Sequence, residues 1–244
     1  MRQLALRTLV PAFVLALVVM VMLLMARSLA AAEAAETARE AVAAAAPASA
    51  DLPFDPAMHA FFVDYLTRRW KLSVGDASSL AGWVLTYSAR YETDPMVQLA
   101  RVLKESGGRH YRPGASRSPA GVIRGSGREI GYSQIKPFWA GKRVEDITIT
   151  RDMLYDPEGN IRAGIALYKR YENGAHNYLL ALARYNRPGS RRPNGYAHAV
   201  DRLYRQIRQE HAMFAARQPG VYGSGPRTLL AEKLGEELLD NIYF

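Results

Sequence analysis

The chain has 244 residues, 49% of them apolar and 23% charged, with 32 Lys+Arg against 23 Asp+Glu and a net charge of +9. That balance excludes a mainly disordered polymer, and a single long apolar run excludes a multi-span transporter; the length allows one or two domains. The lack of cysteine excludes disulfide frameworks, thiolate metal sites, cysteine nucleophiles and iron–sulfur clusters.

The apolar run is Thr8–Ala26, with Arg2 and Arg7 before it and Arg27 after it. Basic residues, an apolar stretch and then small residues make a secretory signal peptide, with A-x-A-like sites at Ala30-Ala31-Ala32 and Ala32-Glu33-Ala34. The run is also long enough to cross a bilayer as an uncleaved anchor. Residues 1–27 are therefore expected to be a signal peptide or a membrane anchor. Either way, the rest of the chain is expected outside the cytoplasm, in the periplasm or cell envelope. Residues 28–50 hold 13 alanines and few large apolar side chains, which predicts an Ala-rich linker ending near Pro47. The folded part is then 51–244. Cleavage after Ala34 would remove three arginines and one glutamate, so the exported portion stays basic. A basic exported surface suits anionic lipid or an anionic wall polymer; export makes nucleic acid the least suitable partner.

Helical patterns dominate 51–244. Ala57–Trp70 and Ala77–Tyr91 are aromatic-rich helical stretches. Asp94-Pro95 gives an N-cap followed by proline at the first helical position. Met96, Leu99, Ala100 and Leu103 then share one face, and Gly107-Gly108 stops the helix. Residues 108–130 are Gly/Arg/Ser-rich loop with a short hairpin. Asp156-Pro157 repeats the start signal; Ile161, Ile165 and Tyr168 form its buried face, with Gly164 permitting close packing, and Gly174 ends it. Asn177–Tyr185 is a short apolar helix closed by Pro188-Gly189. Tyr196, Ala199, Val200, Leu203, Tyr204 and Ile207 mark a long amphipathic helix, followed by loop at 216–226 and a last helix at Leu229–Leu239. No alternating β-branched run is long enough for a large sheet. The fold class is mostly α with a small loop/hairpin region.

Glu105 ends the helix that starts at Asp94-Pro95. A helix C-terminus carries partial negative charge and disfavours a carboxylate there. A partly desolvated carboxyl at that end has a raised pKa, which suits a general acid near neutral pH. The plainer alternative is an exposed ion pair with Arg101 at i−4. Downstream, Gly131-Tyr132-Ser133-Gln134-Ile135-Lys136-Pro137 sets an amide between a turn glycine and a proline, and Ala183-Arg184-Tyr185-Asn186 puts Tyr and Asn at a helix end. Aromatic faces, amides and hydroxyls are what a sugar groove uses. Alternatively, Gln134 satisfies loop backbone, Tyr185 is core and Asn186 is a C-cap.

Taken in order, these elements resemble the lytic transglycosylase domain of the soluble (SLT) type, glycoside hydrolase family 23, in the lysozyme superfamily. That family has a helix running into "ES" (Lys104-Glu105-Ser106), "GLMQ(I/L)-x-P" (Gly131 to Pro137), and "(D)P-x-x-N-I-x-x-G-x-x-Y-L" (Asp156-Pro157, Asn160-Ile161, Gly164, with Leu167-Tyr168 swapped). It continues with "(A)AYN" (Ala183 to Asn186) and a closing "YV-x-x-V-x-x-LY" helix (Tyr196 to Tyr204). The resemblance covers roughly 77–204. It implies a lysozyme-like α+β-superfamily fold, Glu105 as catalytic acid/base, and Gln134, Tyr185 and Asn186 as groove residues. The family's groove serine matches Ser118, with Ser116 as the alternative. Residues 122–130 form an insertion before Gly131, Ser133 stands where the family has Met, and Arg187 where it has a small residue.

The reaction implied is cleavage of the MurNAc–GlcNAc β-1,4 bond of peptidoglycan without water, closing a 1,6-anhydro ring with one carboxyl. The other readings are a goose-type lysozyme-like hydrolase and a non-catalytic wall-binding or secretion-assembly module. Expected partners are peptidoglycan glycan strands, the inner membrane if the anchor is retained, and a secretion or division complex, but not nucleic acid. No cofactor is expected, and the five histidines lack metal-ligand spacing. Gly125-Ser126-Gly127-Arg128-Glu129-Ile130-Gly131 is one residue off a dinucleotide fingerprint and follows no clear strand. Arg109, Arg112, Arg117, Arg124 and Arg128 form either a solvated loop or an attractor for anionic wall polymer.

Overall fold

Local capping sets the helix boundaries in the computed structural model, which describes residues 55–217 together with Met20, Met22 and Met25. Residues 55–217 belong to one compact unit. The expected signal or anchor segment (apart from those three methionines), the linker and the helix at Leu229–Leu239 lie outside the described residues. Among the described residues, no helix is long and apolar enough to cross a membrane.

Asp55 accepts the amide protons of Ala57 and Met58 and starts α1, Pro56–Trp70. Ser73 caps α2, Val74–Arg90. Asp94 accepts from Met96 and Val97 to start α3, Pro95–Ser106, and Gly107 ends it in the left-handed conformation at φ 64°. After a long loop and a 3-10 turn at Pro137–Trp139, strands β1, Arg143–Val144, and β2, Ile147–Thr148, make a minimal antiparallel hairpin. Helix α4 is Arg151–Tyr155 and α5 is Pro157–Asn173, capped by Asp156. Asn177 caps α6, Tyr178–Asn186, and α7 runs Gly195–Arg217. The described residues are thus mostly helical, as expected. The last helix covers residues 216 and 217, where loop was expected. The hairpin and α4 are too short to leave a periodic signal.

Helix α3 packs chiefly on α7, and α5 packs on both α2 and α6. Leu99, Val102, Ile161, Ile165, Leu182 and Val200 are buried where these helices meet. Met96, assigned to the buried face by its spacing, is only half-buried at the first turn. A Cβ on Gly164 would overlap the Ser133 side chain, so that glycine lets the 107–136 loop press directly on α5. Buried polar groups fix the path of the loop. Asn160 accepts the Ser133 amide at 2.8 Å and donates to the carbonyls of Ile130 and Leu154. His110 bonds the Tyr155 carbonyl at 2.8 Å. In place of one continuous hairpin, the loop has isolated bridges Tyr111–Val122, Arg124–Ile130 and Ile130–Ile135.

Candidate active site

Glu105 stands on the last turn of α3, one residue before the chain leaves the helix. Helix α7 supplies its partner: the Tyr196 hydroxyl donates to Glu105 Oε1 at 2.6 Å. Burial pushes the Glu105 carboxyl above its ordinary range; the Tyr196 hydrogen bond and the charge of Arg101 pull it partly back, and the Glu129 carboxylate pushes it further up. The surface ion pair with Arg101 does not form. Arg101 is fully buried, donates to Gln98 Oε1 at 3.0 Å and to the Tyr185 hydroxyl at 2.9 Å, and stacks 4.7 Å from the Tyr185 ring centre. Tyr185 passes the chain on by donating to the Ser133 carbonyl at 2.7 Å.

Glu105, Gln134, Tyr185 and Asn186 line one cavity of about 460 Å³. Gln134 holds a left-handed backbone at φ 45°, next to the Gly131 turn at φ 74°. Its amide nitrogen donates to the Gly131 carbonyl at 2.7 Å. It therefore satisfies loop backbone and also faces the cavity. Tyr185 likewise combines the two alternatives: its hydroxyl braces the interior while the residue forms part of the wall. Asn186 is exposed and closes α6, with Arg187 in the capping position.

Ser118 is not brought to this cavity. Its hydroxyl pairs with that of Ser116 at 2.8 Å in the 112–121 loop, and the serine that lines the cavity is Ser126. Sequence reasoning also passed over Glu129, which lines the cavity beside Ser126, and Tyr196, which it placed only on a helix face. Phe138, Trp139 and Tyr171 add aromatic surface, with the Lys142 ammonium 4.1 Å from the Phe138 ring centre. Among the described residues, no three His, Asp or Glu side chains converge as metal ligands.

Arg109, Arg112 and Arg117 open onto a second cavity of about 230 Å³, with Lys71 and Asp76. Each is tethered: Arg109 to the Trp70 carbonyl at 3.0 Å, Arg112 to the Ala120 carbonyl at 2.8 Å, and Arg117 to Asp76 at 2.6 Å.

The first cavity combines a desolvated carboxyl, a phenol bonded to it, and aromatic and amide walls. That combination can protonate a leaving oxygen while holding a polar, ring-shaped ligand. No curated protein and no solved structure matches the chain. Residues 83–201 match the family described as the Transglycosylase SLT domain, a span that takes in Glu105, Gln134, Tyr185, Asn186 and Tyr196. The mostly helical fold built on that span is consistent with a lysozyme-like Transglycosylase SLT domain.

Proposed function

We propose that this protein is a peptidoglycan lytic transglycosylase that cleaves the MurNAc–GlcNAc β-1,4 bond and leaves 1,6-anhydro-MurNAc ends. SLT domains are lytic transglycosylase domains of the cell wall, which supports the substrate class and an envelope location. The observation that carries the finer reading is Glu105, a carboxyl raised by burial, bonded to Tyr196 and open to a cavity with aromatic and amide walls.

Glu105 acts twice. Protonated, it gives its proton to the glycosidic oxygen as the bond from that oxygen to C1 of MurNAc breaks. The carbonyl oxygen of the sugar's N-acetyl group shelters C1, a substrate-assisted route that needs no second carboxylate nucleophile. Glu105, now ionised, takes the proton of the sugar's own 6-hydroxyl as that oxygen bonds to C1. Atoms balance without water, and the intramolecular attack gains from proximity. Arg101 and the Tyr196 hydroxyl favour the ionised form between the two steps. Gln134, Tyr185 and Asn186 position the sugars.

Digestion of purified sacculi followed by mass spectrometry tests this. Anhydro-muropeptides are expected; hydrated reducing ends alone would replace the reading with hydrolysis, and no release would remove both. Export rests on the residues around Thr8–Ala26. Cell fractionation should find the protein in the envelope, either at its full 27.1 kDa in the inner membrane or shortened in the periplasm. A cytoplasmic pool alone would overturn it.

A further inference from the structure

The glycine-rich stretch Gly125–Gly131, too irregular for a nucleotide fingerprint, folds into a cradle around one carboxylate. The Gly127 amide donates to Glu129 Oε2 at 2.8 Å. Backbone bonds from Gly125 to the Glu129 carbonyl, at 2.9 Å, and from Arg128 to the Gly125 carbonyl, at 3.1 Å, close the turn. A Cβ on either Gly125 or Gly127 would collide with the Glu129 carboxyl oxygens. Arg128 takes a left-handed backbone at φ 67°, which a non-glycine residue adopts at a cost. The Glu129 side chain is 22% exposed, and the residue lines the same cavity as Glu105. The Glu129 charge opposes the ionisation of Glu105. Its nearest cation, Lys136, is 3.9 Å away and 54% exposed, so solvent weakens the compensation.

We infer that Glu129 is a second working carboxylate of this cleft, an anion fixed by the glycine turn to face the positive charge that develops on the sugar as the bond breaks. The inference rests on the reading of Glu105 as the acid. At bond cleavage the charge spreads over C1, the ring oxygen and the N-acetyl group. An anion already fixed in the cavity wall stabilises that charge without reorganising. Glu129 forms no covalent bond and moves no proton. In the free protein the same charge helps keep Glu105 protonated, against Arg101 and Lys104 on α3 and the Tyr196 hydroxyl on α7. Lys136 and the Tyr171 and Tyr185 phenols are the other titratable groups lining the cavity.

Glu129→Gln keeps an oxygen to accept the Gly127 amide and removes only the charge. With soluble glycan fragments, kcat should fall about tenfold or more with KM within about twofold, and the alkaline limb of the pH–rate profile should move to lower pH. Glu129→Asp should hold the limb near its original position. A kcat within about twofold of the parent, with an unmoved limb, would overturn the inference and leave Glu129 as a loop brace. Should Glu129→Gln fail to fold, Glu129→Ser removes the same charge with a smaller side chain: kcat must fall and the alkaline limb must move to lower pH, and an unmoved kcat and limb overturn the inference. Glu105→Gln in the same assay separates the two readings, since activity surviving there removes the acid assignment itself.

Discussion

Glu105 and Arg109 are four residues apart, yet they open onto cavities of opposite chemistry. The Glu105 cavity holds two carboxyls, Glu105 and Glu129, against Lys136, with aromatic walls. The Arg109 cavity is half the volume and holds Lys71, Arg109, Arg112 and Arg117 against Asp76. Gly107 and Gly108, both left-handed, turn the chain from one to the other. The two also differ in provenance. The acid cavity is built within residues 83–201, whereas the basic one borrows Lys71, which caps the end of α1, and Asp76, in the first turn of α2, both outside the family match. Arginines in the first cavity would favour the ionised form of Glu105 and spoil it as an acid. Turning the basic cluster away keeps those arginines from the raised Glu105 carboxyl.

That separation can be broken from either side. The largest effect is expected from Glu105→Gln, which should lower turnover of sacculi by about 10²–10⁴-fold while leaving sedimentation with sacculi unchanged. Near-parental turnover would sink the assignment. Arg112→Gln with Arg117→Gln should instead weaken sedimentation with sacculi several-fold at low salt and flatten its salt dependence, because exposed charges are screened over about 8 Å at physiological salt. No arginine of that cavity is among the groups acting most strongly on Glu105, so the pH–rate profile should stay put. A moved alkaline limb would show that the cavities are electrostatically joined. Tyr196→Phe is a finer probe. It removes the hydrogen bond that favours ionised Glu105, so the alkaline limb should move to higher pH, with a lower kcat as the base step loses its donor. A limb moving downward would contradict the arrangement.

The smallest effect is on stability. The folded Glu105 carboxyl titrates above its ordinary value, so the folded state holds a proton that the unfolded chain has released. Stability therefore falls as pH rises through that window, and the penalty is complete above it. Glu105→Gln should melt above the parent at neutral and higher pH, with the gain vanishing below the ordinary carboxyl range. Thermal denaturation across pH measures this, and a constant offset would exclude it.

The features legible in the sequence were those set by neighbours. Asp94-Pro95 and Asp156-Pro157 start their helices and Gly107 ends one because capping is decided within a few residues. Glu105, Gln134, Tyr185 and Asn186 could be nominated together because each sits at the end of a recognisable element. Ser118 was nominated by its place in the chain order, but the local path of residues 112–130 depends on Asn160 and His110, which bond far from themselves in sequence. Ser126 and Glu129 reach the cavity on the local glycine turn 125–131, a placement that the glycines alone did not disclose. Arg101 looked like a surface partner because i−4 spacing suggests one. Its burial follows from α5 and α6 closing over it, which periodicity within α3 alone does not reveal.

The bond between Tyr196 and Glu105 spans 91 residues of chain. Glu105 leaves the ribosome early, but its phenolic partner comes from the last described helix. A nascent, stalled or clipped chain that ends before α7 carries the acid without the helix that packs over α3. The bonded, buried carboxyl thus arrives with the completed fold, not with the residue. If Glu105 is the acid proposed above, the order of synthesis itself delays activity until the fold is complete.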